Sequence, residues 1–131
     1  MNLIQLKMIT PEGVKFDKKV KIFNTKTVNG AIGINANETG LIAKLVNHTC
    51  SITIDDKSKV EYVILDGLLY STKSIIKVFA NYCEEKNKID INKIKKEIET
   101  LSKKSENKDI VVHETNDFKL KQNLAILEAI K

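Results

Sequence analysis

Three groupings of residues have types and spacings that invite chemistry. Gly30-Ala31-Ile32-Gly33 sets two glycines three apart among apolar residues, a backbone pattern that can cradle a phosphate. A dinucleotide fingerprint requires a third glycine and a helix directly after it. Here the chain runs on through Ile34 into the polar stretch Asn35 to Gly40, so the glycines read as a strand bend or a close approach of backbone. His48 and Cys50 stand two apart and would share one face of a strand. A zinc site needs further ligands, and the neighbouring sequence supplies no cluster of them. Cys83 is followed by Glu84 and Glu85. A nucleophilic thiol wants electropositive surroundings and a positioned base, and two adjacent carboxylates act in the opposite sense. The residues point to a non-catalytic binding or coupling protein, with no cofactor expected.

The composition agrees with that reading. With 131 residues, 42% hydrophobic and 30% charged, the chain can bury one real core, or a core with a small appendage. No apolar run approaches the ~18–20 residues of a membrane span. The start, MNLIQLKMITPEG, has neither a basic leader nor a long apolar segment. A cytoplasmic protein without direct membrane insertion is the expectation. The two cysteines suit buried reduced thiols. The net charge of +5 raises nucleic-acid binding, but all 22 cations are lysines. Base readout leans on the arginine fork, so nucleic acid is not expected as a partner.

The elements that must position these residues change character near Cys83. Before it, short apolar runs alternate with turn signals: Leu3 to Ile9, Val14 to Phe16, Val20 to Phe23, Ala31 to Ile34, Leu41 to Val46, Cys50 to Ile54, Val60 to Leu65, Leu68 to Tyr70 and Ile75 to Tyr82. Pro11-Glu12-Gly13, Asp55 to Ser58 and Asp66-Gly67 are the turns. Many short strands at such spacing predict a β-sandwich or barrel. After Cys83 the period lengthens. Ile91, Ile94, Ile98 and Leu101 form one helical stripe, with Asp90 as its N-cap. Leu120, Leu124 and Leu127, widened by Ile126 and Ile130, form a second, opened by Asp117 and closed by Lys131. The polar run Ser102 to Asp109 would join them, and His113-Glu114 falls in the same connection. The fold class expected is α+β: a β-sandwich over residues 1–85, then an antiparallel helical hairpin over 86–131.

That order of local motifs resembles the epsilon subunit of the F-type ATP synthases. The resemblance rests on Met8 to Gly13, where the family opens with a strand and a similar turn, and on Gly30-Ala31-Ile32-Gly33-Ile34, similar to its G-x-L-G-I/V. Asp66-Gly67 stands at its G-G turn, and Ile89-Asp90 at the I/L-D that starts its first C-terminal helix. Four of these positions depart from the pattern: Ala31 where an acid is usual, Glu38 and Gly40 where a His and a Pro are, and Asp66 where the first of the paired turn glycines is. The resemblance implies a ten-strand sandwich docked on the gamma subunit of the central stalk. It also implies a lower edge facing the membrane rotor ring, and a hairpin that either folds down or reaches toward the catalytic alpha/beta head to restrain hydrolysis. The complex would lie on the cytoplasmic face of the membrane.

On that resemblance the subunit-contact candidates are Gly30, Ala31, Gly33, Asn37, Glu38 and Thr39. Nucleotide-binding candidates follow from the I/L-D-x-x-R-A segment by which many bacterial members hold ATP. They are Ile89, Asp90 and Lys93, with Glu84 upstream. Lys93 stands where the family has arginine and Ile94 where it has alanine. An epsilon homologue in a specialised F-like motor, such as one that drives gliding, is an alternative reading, and an ATP-sensing module is another. In either case two helices of this length are marginal alone, so the hairpin should be stable only when docked.

Overall fold

The computed structural model describes residues 2–104 and 110–130, with side chains left out at 103–104 and 110–117. The alternating runs fold into ten strands: β1 (Ile4–Thr10), β2 (Gly13–Val20), β3 (Ile22–Thr27), β4 (Gly30–Ile34), β5 (Leu41–Lys44), β6 (His48–Thr53), β7 (Lys59–Leu65), β8 (Leu68–Ser71), β9 (Ile75–Phe79) and β10 (Tyr82–Glu85). They pair into two five-stranded sheets, ordered β2-β1-β9-β8-β5 (sheet A) and β10-β7-β6-β3-β4 (sheet B). All pairings are antiparallel except β1 with β9.

The core lies between the sheets because the inward parity of each strand is apolar. Ile4, Leu6 and Met8 from β1 and Ile76 and Val78 from β9 meet Phe23 from β3 and Cys50 and Ile52 from β6, all essentially inaccessible. The run Ile75 to Tyr82, expected as one strand, divides at Ala80-Asn81. β9 completes sheet A, and β10 crosses to sheet B to pair with β7. The reason is steric closure: Ala80 still bonds to Ile9 in sheet A, while Asn81 already bonds to Leu65 in sheet B.

Two helices follow a single 3-10 turn at Lys86–Lys88: α1 (Ile91–Lys104) and α2 (Ile110–Ile130). The Asp90 carboxylate accepts from the Lys93 amide at 3.1 Å, so the expected N-cap forms. α2 begins seven residues before Asp117, at Ile110, and takes in His113-Glu114. Helix propagation adds a backbone hydrogen bond per residue without needing an apolar side chain. Residues 105–109 of the expected connection, and Lys131, lie outside the described residues.

The hairpin is docked on the outer face of sheet B. α2 lies against β6 and β7 and packs on α1. Val63 and Leu65 of β7 are buried there beneath Ile94 of α1 and Ile126 of α2. Ala125 and Ala129 join the same contact, their small side chains letting the helix approach the sheet. Because α2 has to serve both α1 and the sheet, its buried positions shift from the expected stripe. Asn123 and Ile126 are buried, and Leu124 is half in solvent. Asn123 donates to the Glu97 carboxylate across the helix pair (3.1 Å). At the end of α2, the Thr49 hydroxyl donates to the Ala129 carbonyl (2.8 Å), satisfying an acceptor that a helix terminus leaves open.

Candidate subunit-docking face

The two outer faces of the sandwich are treated differently. Sheet B carries the hairpin, whereas the outer face of sheet A is covered by nothing in the described chain. On an antiparallel sheet that face should be polar. Here strand register sets an apolar row across it: Val14 beside Ile9, Ile9 beside Phe79 and Phe79 beside Leu68. Leu68 is followed by Lys44. The next row holds Tyr70 beside Ile42 on one side and Lys77 on the other, with Lys7 beyond. Ile42 is 71% exposed, Val14 52%, and Leu68, Phe79 and Tyr70 all above 40%. A contiguous apolar patch of this kind, edged by cations, marks a protein contact. Lys44, Lys77 and Lys7 would favour a partner with carboxylates around an apolar centre.

The expectations from sequence did not single out these residues. A signal was present: Leu41-Ile42, Leu68-Leu69, Ile75-Ile76 and Val78-Phe79 are apolar at both parities, so both faces of those strands want cover. Val63-Ile64-Leu65 carries the same signal on β7, and there the hairpin provides the second cover.

The six contact candidates expected from sequence do not form one site. Gly30 and Ala31 open β4 at the end of the sandwich that holds the 11–12, 28–29, 45–47, 66–67 and 80–81 turns. Gly33 lies further along the strand, with Ile32 half-buried and Ile34 buried inward as the alternation requires. Asn37, Glu38 and Thr39 sit in the corner beyond the other end of β4, roughly 15 Å away at ~3.3 Å per residue. That corner is exposed and tied to the β8–β9 turn. Asn37, at φ 68°, donates its amide to the Lys73 carbonyl. Gly40 passes so close to the backbone that a Cβ would strike the Ser71 carbonyl oxygen, so the position suits glycine.

The nucleotide candidates are likewise dispersed among structural duties. Ile89 packs into the helix–sheet contact. Asp90 spends one carboxylate oxygen on its capping bond. Glu84, on the helix-covered side of β10, accepts from the Glu85 amide (3.2 Å). Lys93 borders a groove of about 530 Å³ between the helices, shared with Lys96, Glu97, Thr100, Lys119 and Gln122. Ile94 points the other way, into the core.

The remaining chemical groupings are structural. His48 is 5% exposed. Its Nε2 lies 3.2 Å from the Lys26 amide, which can only donate, so Nε2 is the acceptor. It accepts from the Thr25 hydroxyl as well (2.7 Å), while Nδ1–H donates to the Val46 carbonyl (2.6 Å). Both nitrogens are spent, leaving no lone pair for a metal. Burial holds the imidazole below its usual range. Burial also pushes the Cys50 and Cys83 thiols up to about 12, with Cys83 raised further by the Glu84 carboxylate. Neither is a nucleophile at neutral pH.

Comparison with known proteins fits this architecture. The family described as "ATP synthase, Delta/Epsilon chain, beta-sandwich domain" matches residues 3–86. An ATP synthase epsilon chain of Mycoplasma genitalium is 34% identical over 120 residues, covering 92% of this chain and 85% of that one. An ATP synthase epsilon chain of Mycoplasma pneumoniae is 27% identical over 125 residues, covering 95% and 91%. A chain in the mitochondrial ATP synthase structure of Euglena gracilis shares the fold, with a TM-score of 0.68 at 19% identity over 97% of this chain and 78% of that one.

Proposed function

The chain belongs to the epsilon-subunit family of the F-type ATP synthases, and we propose that it is a non-catalytic rotor subunit that couples ATP turnover in the alpha/beta head to rotation by docking on a gamma-like stalk subunit. The observation that carries this reading is the bare apolar face of sheet A. A free protein has no use for Val14, Ile42, Leu68, Tyr70 and Phe79 in solvent, whereas a subunit held in a complex does. Its lysine border suits an acidic rim on the stalk. The end bearing Gly30 and Ala31 would face the membrane ring, on the cytoplasmic side. The two domains, 1–85 and 86–131, would divide the work: the sandwich attaches, and the docked hairpin is free of the contact.

A conventional ATP synthase is preferred over a specialised F-like motor because the similar Mycoplasma chains bear the ATP synthase name. The ATP-sensing reading is disfavoured. Asp90 is engaged as a cap, and Lys93 lacks the planar fork and stacking surface of arginine. Titration calorimetry with ATP and magnesium should therefore detect weak binding or none. A micromolar dissociation constant would overturn that expectation.

Binding to the purified gamma-like subunit of the same host tests the docking face. Leu68→Glu and Ile42→Glu should each weaken the complex by at least about 30-fold, the effect of losing ~2 kcal/mol at an interface anchor. Ile91→Glu, an exposed change on the hairpin, should leave it unaltered. Equal losses from all three, or none from the first two, would remove the face of sheet A from the contact.

A further inference from the structure

We infer that the free edge of β4 receives an extended strand from a partner subunit, one that carries a carboxylate or carboxamide on the side facing away from the core. The inference rests on the rotor reading above, since it takes the partner from the same complex.

A two-sheet sandwich has four edges, and soluble proteins guard such edges against stray pairing with charges, bulges or cover. Three of the four are guarded. β2 carries Lys15, Lys18 and Lys19, and its register with β1 shifts at Met8/Ile9. β5 is only four residues long, and its outer side is taken by β3 and the turn after it. There the Val28 amide bonds to the Lys44 carbonyl (2.9 Å) and the Val46 amide to the Lys26 carbonyl (3.1 Å). β10 is four residues with Glu84 and Glu85, and it runs straight into the 3-10 turn.

β4 is the exception. Its sequence, Gly30-Ala31-Ile32-Gly33-Ile34, contains no charge and no proline. β3 is its only strand partner among the described residues. The side chains it shows on the outer face are small, so an added strand could lie flat beside it. Gly33 leaves a hollow that the Asn24 carboxamide enters. A Cβ there would stand 2.7 Å from Asn24 Oδ1.

The hollow opens onto a groove of about 380 Å³ on the outer face of sheet B, bordered by Asn24, Lys26, Ala31, Gly33, Thr49 and Ser51. The Ser51 hydroxyl is buried and has no hydrogen-bond partner among the described residues. A strand added to β4 would form main-chain hydrogen bonds along the edge. Its outward side chains, passing over Ala31 and Gly33, would meet the Lys26 ammonium and the Asn24 carboxamide of neighbouring β3. That set of donors selects a carboxylate or carboxamide.

Hydrogen exchange read by mass spectrometry tests this on two samples: the free chain, and the ATPase complex purified from the host through an affinity tag on the chain. Amides within residues 30–34 should exchange at least about tenfold more slowly in the complex. Ala31→Lys, which restores an edge guard at an exposed position, should abolish that protection while the chain stays in the complex through sheet A. Lys26→Glu should reduce it. A complex that holds the stalk subunit and protects Ile42 and Leu68, yet leaves residues 30–34 unprotected, overturns the edge proposal and leaves the rotor reading standing. Recovery of no stalk subunit overturns both. A concentration-dependent dimer of the free chain in sedimentation, lost in Ala31→Lys, would assign the edge to a second copy of the chain and also contradict the proposal.

Discussion

His48 is the residue through which this protein should sense acid. In the folded state its ring is neutral and accepts from the Thr25 hydroxyl and the Lys26 amide. A proton on Nε2 would set donor against donor and place a charge near Lys26. The folded pKa is lowered by burial, while the unfolded chain titrates near the ordinary value of about 6.5. Above that value neither state binds the proton, and stability is unaffected. Below it the unfolded state binds the proton first, so stability falls as pH falls, down to the folded pKa. Urea midpoints should thus drop between pH 7.5 and 5.5. His48→Asn should start lower, because it forfeits bonds, but should show a shallower pH dependence. Equal slopes in the two proteins would remove His48 from the effect. From the sequence, the Cys50 thiol was legible as buried, but the burial of His48 was not. The bonds to Thr25 and Lys26 were not, since those partners lie 23 and 22 residues away and only the sheet register brings them in.

Among the elements, the sandwich and the hairpin hold separate clusters of buried side chains. The cluster between the sheets contains no helix residue. The hairpin's cluster borrows Val63 and Leu65 from β7. A chain ending at Lys88 should therefore keep its strands, with unchanged sheet signal in circular dichroism. It should lose about 3 kcal/mol of stability from uncovering those two side chains, and it should bind the gamma-like partner as the whole chain does. Collapse of the strand signal would mean that the hairpin belongs to a single core. Strand existence was legible because period-two alternation survives wherever one face is wet. Boundaries failed where geometry overrode the pattern: at Ala80-Asn81, where the chain changes sheets, and at the start of α2, where residues from Ile110 to Asn116 extend the helix although they lie outside the stripe read from sequence. Leu124 was misjudged for a related reason, because a helix packed on both α1 and a sheet presents its buried side between the two directions that a single stripe would mark.

At the scale of the whole molecule, both outer faces of the sandwich carry an apolar patch that needs cover. The hairpin covers the patch on sheet B. Nothing in the described chain covers sheet A, and that asymmetry is what the rotor reading explains. The sequence pattern located every strand that carries the bare face without revealing it, since Ile42 and Leu68 look like core until the register turns them outward. Detergent extraction of host membranes should yield this chain with the stalk, the catalytic head and a ring protein together. A detergent-free complex with a full head and no ring protein would instead favour a specialised motor. The central claim, attachment through sheet A, is tested most directly by a cryo-EM reconstruction of the complex recovered through a tag on this chain. The account predicts Val14, Ile42, Leu68, Tyr70 and Phe79 buried against a gamma-like coiled coil. A complex in which that face remains in solvent while the chain is held by another surface would contradict it.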